Sequence, residues 1–311
     1  MSATFWDSFD HLLKQAEEEF FNYNFKKAIE TWKNYYKITA KKEYQHIADE
    51  VEATWSEDIL SDITTLARLF ILFKNFKTKY DKKEISHYTF QLYKKLLIKL
   101  YKENFQETAK KEISTESGIF EYLSGNYSTA VELLNAVITG EPESIFARIY
   151  LGFAYLSLKD QRSMIALLSQ NLVLGADKLN NDDLYLSQIK MLYGKLFSAL
   201  GNSEEAAWLL VFESWFRNWL MFEEDKLFFD LIRKKETNER IVQVKYYSYE
   251  RYRHFVRCLY ISEYTRQFMK KEHGLISEQE HYMEKLDGSL FDRYRKKRKA
   301  LKQPASKVKT A

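Results

Sequence analysis

Two Glu-x-x-His pairs have the spacing of metal-binding residues on a helix. Glu43 and His46 form one pair, and Glu278 and His281 form the other. Di-iron helical bundles use such i, i+3 pairs of carboxylate and imidazole, together with two further glutamates from separate facing helices. Here the two pairs lie near opposite ends of the chain, so convergence on one ion is not expected. We therefore interpret both pairs as exposed salt bridges and predict neither a metal ion nor another cofactor.

The single cysteine is the other residue that could do chemistry. Cys258 cannot form an intramolecular disulfide, which favours a reducing compartment over a secreted one. It lies within an apolar helical stripe, and a thiol buried in apolar surroundings is inert. The sequence also lacks the H-E-x-x-H, G-x-x-x-x-G-K-[ST], G-x-G-x-x-G and G-x-S-x-G signatures of metal hydrolysis, phosphate binding and acyl transfer. We predict that the chain is not an enzyme.

The composition predicts an almost entirely helical fold. The 311 residues are 45% hydrophobic and 16% aromatic, which is enough to bury a substantial core. Only two prolines and nine glycines occur, and none of them precedes Gly118. Because residues that break helices are so rare, we expect an all-α chain of one or two domains.

One pattern of residue types recurs four times, and we number its positions as slots. Slot 8 is the small residue of a first helix: Ala16, Gly118, Gly152 and Gly194. Slot 15 is the turn residue and slot 16 the N-cap of a second helix: Tyr23 and Asn24, Gly125 and Asn126, Lys159 and Asp160, and Gly201 and Asn202. Slots 20 and 24 form an apolar pair one turn apart: Ala28 and Trp32, Ala130 and Leu134, Met164 and Leu168, and Ala206 and Leu210. Since Asn and Asp are favoured N-caps whose side-chain oxygen accepts from the first free amides, the pattern predicts four helical hairpins.

This pattern resembles the tetratricopeptide repeat. The step from Gly118 to Gly152 is 34 residues, the repeat length of that family, and the resemblance covers residues 111–220 well and 12–45 weakly. The next step, to Gly194, is eight residues longer, and we assign the excess to the polar stretch from Gly175 to Asp183. The resemblance implies a right-handed α-solenoid of antiparallel helix hairpins that ends in a C-terminal helical cap. An irregular helical bundle is the alternative.

We divide the chain into four parts on this basis. Residues 1–110 are N-terminal helical hairpins with the weak repeat at 12–45, residues 111–222 hold three repeats, residues 223–292 form the C-terminal helical cap, and residues 293–311 are a basic helix with a disordered tail. We predict helices near 43–54, 57–80 and 84–104, with Ser56 or Ser61 as cap of the second. Residues 233–240 are predicted to be a polar interruption, and residues 277–280 a capping box that opens a helix.

The resemblance also implies a binding groove. First helices of tetratricopeptide repeats line a concave groove, and the matching slots here include Tyr122, Phe146, Ile149, Phe153, Met191 and Lys195. The centre of this set is apolar, where members of the family that clamp a carboxylate carry Lys and Asn. We therefore expect the partner to be an apolar or amphipathic helix or peptide of another protein. In the alternative, the C-terminal helices fold back and fill the groove.

The C-terminal end is strongly basic. Nine basic residues and no acid follow from position 293, which leaves 39 basic against 44 acidic residues and a net charge of −5 in the rest of the chain. The basic set that we single out is Arg293, Arg295, Lys296, Lys297, Arg298, Lys299 and Lys302. It could be a second contact for an acidic protein or, with the tyrosines of residues 246–266, for nucleic acid. It could also dock on the acidic remainder of its own chain or serve only solubility.

The sequence shows no signal for export or membrane insertion. Acidic residues occur within the first ten positions, and no basic segment followed by an apolar one is present there. The most hydrophobic run, residues 206–222, includes Glu213 and Arg217, so we expect a buried helix rather than a membrane span. We predict a cytoplasmic protein. Self-association is a further expectation, because uncapped repeat ends stack on one another.

Overall fold

The computed structural model describes residues 10–55, 57–239, 248–269 and 271–302. Within these ranges the regular structure consists of α-helices and two short 3-10 turns, without a strand. The prediction of an all-α fold is therefore confirmed. The chain divides into two compact units, Met1–Ser124 and Gly125–Ala311. The four-part division drawn from the sequence stays a prediction.

The first unit contains eight helices in its described part. In chain order they are α1 Asp10–Phe21, α2 Phe25–Thr39, α3 Lys42–Thr54, α4 Glu57–Ser61, α5 Leu66–Asp81, α6 His87–Asn104, α7 Gln106–Ala109 and α8 Thr115–Leu123. Its core is aromatic. The ring of Phe20 lies 5.9 Å from that of Trp32, 6.1 Å from that of Trp55 and 6.2 Å from that of Tyr93, all four being buried. Such clusters gain favourable ring contacts in addition to the burial of apolar surface.

The segment predicted as one helix over residues 57–80 is instead broken. α4 ends at Ser61, and α5 begins at Leu66 after an N-cap at Thr65. The Thr65 hydroxyl accepts a hydrogen bond from the amide of Arg68 at 3.3 Å. The predicted cap at Ser61 was wrong for α5, because the hydroxyl of Thr65, four residues further on, accepts from an amide of its first turn. The other predicted cap, Ser56, lies outside the described residues.

The second unit contains nine helices in its described part. They are α9 Tyr127–Gly140, α10 Ile145–Ser157, α11 Gln161–Gly175, α12 Ser187–Leu200, α13 Ser203–Phe216, α14 Lys226–Glu239, α15 Ser248–Phe268, α16 His273–Leu286 and α17 Gly288–Lys302. Two 3-10 turns, Ala176–Lys178 and Asn181–Asp183, lie in the stretch to which the extra eight residues were assigned. α10 packs between α9 and α11, and α13 and α15 pack together in one hydrophobic core with α14 and α17.

The four predicted turns share one backbone geometry. The slot-15 residues Tyr23, Gly125, Lys159 and Gly201 have φ values of 66°, 89°, 62° and 68°. This left-handed conformation typically ends a helix, and it is most easily adopted by glycine. All eight residues at slots 20 and 24 are buried. The sequence pattern thus located four equivalent helix ends, two of them at residues that adopt a positive φ less readily than glycine.

All four predicted N-caps are in the correct position, but only two of them make the predicted side-chain hydrogen bond. All four slot-16 residues immediately precede a helix. Asp160 accepts from the amide of Ser163 at 3.1 Å, and Asn202 accepts from two amides of α13. Asn24 and Asn126 make no side-chain cap hydrogen bond; Asn24 donates to Glu19 instead. This bond uses Nδ2 of Asn24, while its Oδ1, the atom that would cap the helix, accepts from none of the first amides.

Two boundaries near the C-terminus also differ from prediction. α14 continues through Arg233 to Glu239, so the described part of the predicted polar interruption is helical. α16 begins at His273, and Ser277 therefore lies inside this helix, where its hydroxyl donates to the carbonyl oxygen of His273. The capping-box pattern was wrong here because the helix had already begun four residues earlier.

Candidate functional site

The centre of the predicted groove is already occupied by the chain itself. On α10, the ring of Phe153 meets the ring of Tyr185 edge to face, with centroids 5.0 Å apart. The Tyr185 hydroxyl donates to the carbonyl oxygen of Ile149 at 2.7 Å, and its ring lies directly against Gly152. A Cβ added at Gly152 would come within 2.3 Å of the Tyr185 oxygen. The small residue of slot 8 therefore accommodates an aromatic ring from the segment between α11 and α12.

The three groove residues predicted on α10 are covered to different extents. Ile149 is only 4% exposed, while Phe146 and Phe153 are half-buried and both contact Tyr150. Ile149 consequently offers no surface to a partner, and including it in the site was wrong. This face of α10 is not an open groove, and the described C-terminal helices do not fill it. Tyr185, which precedes α12, covers it instead.

The groove residues predicted on α12 are exposed. Met191 is 64% exposed, and Lys195, one turn further along, also faces solvent. Only Ile189 is buried among the 14 residues of α12, whereas α13, with which it packs, buries nine. Phe197 and Leu200 add further exposed apolar surface to the same helix. We call Met191 and Lys195, which lie one turn apart on one side of the helix, the α12 surface; Phe197 and Leu200 lie on other sides.

Tyr122 belongs to the first unit, where it is half-buried at the end of α8. That unit also contains a wide depression of about 900 Å³ that the sequence did not predict. Buried Phe25 and Trp55 form part of its floor, and Lys33 and Glu52 form an ion pair of 2.6 Å at its side. No pattern in the sequence singled these residues out.

The basic C-terminal set begins as a helix that packs on the second unit. Arg293 of α17 donates to Glu213 at 2.6 Å, and its guanidinium lies 5.0 Å from the ring centroid of Phe212 and 4.8 Å from that of Phe216. Glu213 also pairs with Arg217. Although burial alone would raise the pKa of this carboxyl, hydrogen bonds from Arg293 and Arg217 lower it below its ordinary value. Arg293 thus holds the first half of α17 against α13 of the same unit.

Two further basic residues of α17 are also engaged. Lys297 donates to the carbonyl oxygen of Trp215, and its ammonium lies 3.9 Å from the centroid of that ring. Arg298 donates to Glu263 at 3.1 Å. Arg295, Lys296 and Lys299 are exposed, while the Lys302 side chain and residues 303–311 lie outside the described part. Arg293, Lys297 and Arg298 thus bind the chain's own groups, which for these three agrees with the alternative that the basic segment docks on its own chain. A partner contact through the remaining basic residues stays a prediction.

Lys297 should make stability depend on pH. Burial lowers the pKa of Lys297 from 10.5 to about 8, although Glu263 opposes this shift. Between these values the unfolded chain binds more protons, so the free energy of unfolding should rise with pH. We expect wild type to gain stability relative to Lys297→Met between about pH 8 and 10.5, as measured by urea unfolding. Lys296 is an exposed neighbour, so wild type should show no such gain relative to Lys296→Met. The prediction would be contradicted if the difference in free energy of unfolding between wild type and Lys297→Met stayed constant over this pH range.

The chain was compared with protein families, curated proteins and solved structures. No family model, curated protein or solved structure matches it. The function has to be argued from the residues and their geometry. Among the described helices none is sufficiently long and apolar for a membrane span.

The candidate metal pairs do not form a centre. His46 pairs with Glu50 at 2.9 Å rather than with Glu43, and its side chain is 65% exposed. In the described ranges, no three or more His, Cys, Asp or Glu residues are grouped in a way that could hold a metal ion. The predicted salt bridge between Glu43 and His46 was therefore wrong in its carboxylate, because Glu50, one helical turn after His46, is the partner. The predicted pair of Glu278 and His281 stays a prediction.

A buried cluster that the sequence analysis missed surrounds Cys258. Glu236 of α14 contacts His254 Nδ1 at 2.8 Å and accepts from Cys258 Sγ at 3.6 Å. All three residues are at most 2% exposed. Cys258 and His254 lie one helical turn apart on α15, a spacing visible in the sequence, but the carboxylate comes from another helix. The prediction that Cys258 is a packing residue agrees with its complete burial.

Proposed function

We propose that the chain is a tetratricopeptide-like helical repeat protein that acts in the cytoplasm as a non-catalytic scaffold or adaptor. Support for the repeat comes from the four turns with positive φ and the eight buried residues at slots 20 and 24. Within the second unit, α10 packs with α11 and α12 packs with α13, as consecutive hairpins require. The proposed mechanism is the burial of an apolar or amphipathic helix or peptide of another protein.

The α12 surface carries this proposal. An amphipathic helix normally buries one apolar face, yet Met191, Phe197 and Leu200 are exposed on a helix that buries only Ile189. Exposed apolar groups with a polar rim are typical of protein-binding surfaces. Lys195 lies beside Met191 at helical spacing and supplies a charge at the rim. The groove on α10 no longer contributes, because Tyr185 covers Phe153.

The test begins with affinity capture of the full chain from an extract of its native cell, with and without nuclease. The binding of each purified partner is then measured for Met191→Glu and for Leu227→Glu. Leu227 is a matched control, since it is 61% exposed on α14 of the same unit. We expect Met191→Glu to weaken binding by about tenfold or more, because it introduces a charge into an apolar contact. Leu227→Glu should leave binding within about twofold of wild type.

Equal affinities for wild type and Met191→Glu would rule out the α12 surface as the binding site. Circular dichroism of both variants provides a check on folding. Because both substituted residues are exposed, each variant should retain the helicity of wild type.

A nucleic-acid-associated regulator is the alternative that the sequence left open. The exposed basic residues Arg295, Lys296 and Lys299 support it. Tyr260 and Tyr264 are buried, so neither presents a face on which a base could stack. Tyr249 and Tyr252 are half-buried, and Tyr246 and Tyr247 lie outside the described residues. The nuclease treatment tests this alternative: loss of every captured protein after nuclease would favour it over the adaptor.

A further inference from the structure

A polar pocket of about 320 Å³ lies between α15, α16 and α17 of the second unit. Its lining includes four basic side chains, Arg266 from α15 and Arg295, Arg298 and Lys299 from α17. Two carboxylates balance part of this charge, because Arg266 pairs with Glu280 and Arg298 pairs with Glu263 at 3.1 Å. The pocket therefore carries an excess of two positive charges.

The excess positive charge of the pocket comes from two exposed residues, Arg295 and Lys299. Among the described residues, neither Arg295 nor Lys299 forms an ion pair with a carboxylate. Arg295 contacts only the ring of Phe291, at 5.8 Å from its guanidinium to the ring centroid. Like-charged side chains that converge on one pocket repel each other unless an anion lies between them. A bound anion would therefore reduce the repulsion between Arg295 and Lys299.

Arg266 and Arg298, although paired with carboxylates, have N–H donors that these pairs do not use. A guanidinium carries five N–H donors, and Arg266 and Arg298 each donate one hydrogen bond to a carboxylate. The Nε atoms of both are buried without a hydrogen-bond partner, so only their Nη donors can reach a ligand in the pocket. Arg266 Nε lies 3.9 Å from Glu263, which is too long for a hydrogen bond. An arginine with unused donors favours a ligand with several acceptor oxygens.

The beginning of α16 contributes to the same pocket. His273 and Ser277, from the first turn and a half of this helix, line it. The N-cap residue of α16, Glu272, makes no side-chain hydrogen bond to the first amides. The pocket is thus lined by one side of α16, whose N-cap is an acidic residue, and the cations that face it come from α15 and α17.

We propose that this pocket binds a small phosphate-bearing ligand. A phosphate group carries a charge of about −1.5 to −2 at neutral pH and three acceptor oxygens, which matches the two unpaired cations and the unused arginine donors. The ligand could be a soluble phosphate or the phosphate headgroup of a lipid, since both present the same chemistry. This site is separate from the α12 surface and does not depend on the proposed scaffold function.

The experiment uses inorganic pyrophosphate as the soluble probe and phosphatidylcholine vesicles containing phosphatidic acid as the lipid probe. Binding of pyrophosphate to the full chain is measured by calorimetry, and vesicle binding is measured by co-sedimentation. The double variant Arg295→Gln with Lys299→Gln should weaken binding of either probe by at least about tenfold, because it removes both unpaired cations. Both residues are exposed and unpaired, so the fold should be unchanged, as checked by circular dichroism.

Lys296→Gln is the matched control, since Lys296 is an exposed basic residue of α17 that does not line the pocket. Its binding should stay within about twofold of wild type. Saturable pyrophosphate binding that depends on the pocket would identify a soluble ligand, and binding seen only with the vesicles would identify a lipid headgroup. The proposal is overturned if wild type binds neither probe, if the double variant binds as tightly as wild type, or if Lys296→Gln weakens binding as much as the double variant does.

Discussion

Replacing Arg148 with alanine is expected to lower the free energy of unfolding by about 3–5 kcal/mol. Arg148 is almost fully buried on α10, where Nε donates to the carbonyl oxygen of Pro142 at 2.9 Å and Nη1 donates to Gln170 at 2.6 Å. Its guanidinium also lies 4.9 Å from the ring centroid of Phe228. The alanine variant would leave two half-buried acceptors without this donor and a cavity beside the ring.

The same network explains why the loss should be large. Gln170 donates to Asp225 at 3.0 Å, and Asp225 caps α14 by accepting from the amide of Phe228 at 2.9 Å. Burial lowers the pKa of Arg148 to about 10, while Asp225 opposes this shift. Burial of the Arg148 charge is therefore costly, and Asp225 and the hydrogen bonds of Arg148, which join α10 and α11 to the start of α14, offset part of that cost. Removing one partner from a buried charged network costs more than the network contributes as a whole.

Urea unfolding monitored by circular dichroism gives the measurement, and Arg162→Ala gives the matched control. Arg162 lies on α11 with its side chain 79% exposed, and it forms an ion pair of 2.7 Å with Glu223. An exposed pair of this kind contributes about 0–1 kcal/mol. Equal effects of the two substitutions would show that the Arg148 network does not stabilise the second unit.

The second large effect is expected for Glu236→Ala, which should cost about 3–5 kcal/mol of the free energy of unfolding. Glu236 is the common partner of His254 and Cys258, and all three are buried between α14 and α15. Alanine would remove the acceptor of both groups and leave a cavity in the core. Glu236→Gln keeps the shape and one acceptor oxygen, so its cost should be smaller.

Two measurements distinguish this prediction from a general loss of stability. Urea unfolding gives the free energy, with Asp230→Ala as the control, because Asp230 is an exposed acid on the same helix. Its cost should stay within about 0.5 kcal/mol. The reaction rate of the Cys258 thiol with a disulfide reagent reports the opening of the cluster, and it should be faster in Glu236→Ala than in wild type. An unchanged rate and stability would show that the cluster is not structurally important.

The repeat frame shows how far local sequence determined the structure. The positions of four helix ends and four N-caps, and the burial of slots 20 and 24, follow from residue types within one hairpin. These features depend on capping, on helical periodicity and on the fit of small residues, which are local properties. The predicted start of α5 was less accurate, because a second candidate cap, Thr65, lies close to the predicted Ser61 and accepts from the amide of Arg68 instead.

The candidate sites depended on contacts between distant parts of the chain. Tyr185 covers Phe153 although 32 positions separate them, and Arg293 binds Glu213 from 80 positions away. No periodicity in the sequence marks such pairs, because each depends on how complete helices pack.

The sequence by itself thus determined an all-α chain, its repeated turns and the residues at the hairpin cores. Only the tertiary structure decided which predicted surfaces remain exposed: it left Met191 in solvent, covered Ile149 and engaged Arg293, Lys297 and Arg298. The physical reason is that a side chain's type sets its preference for burial, whereas its exposure is set by the element packed against it.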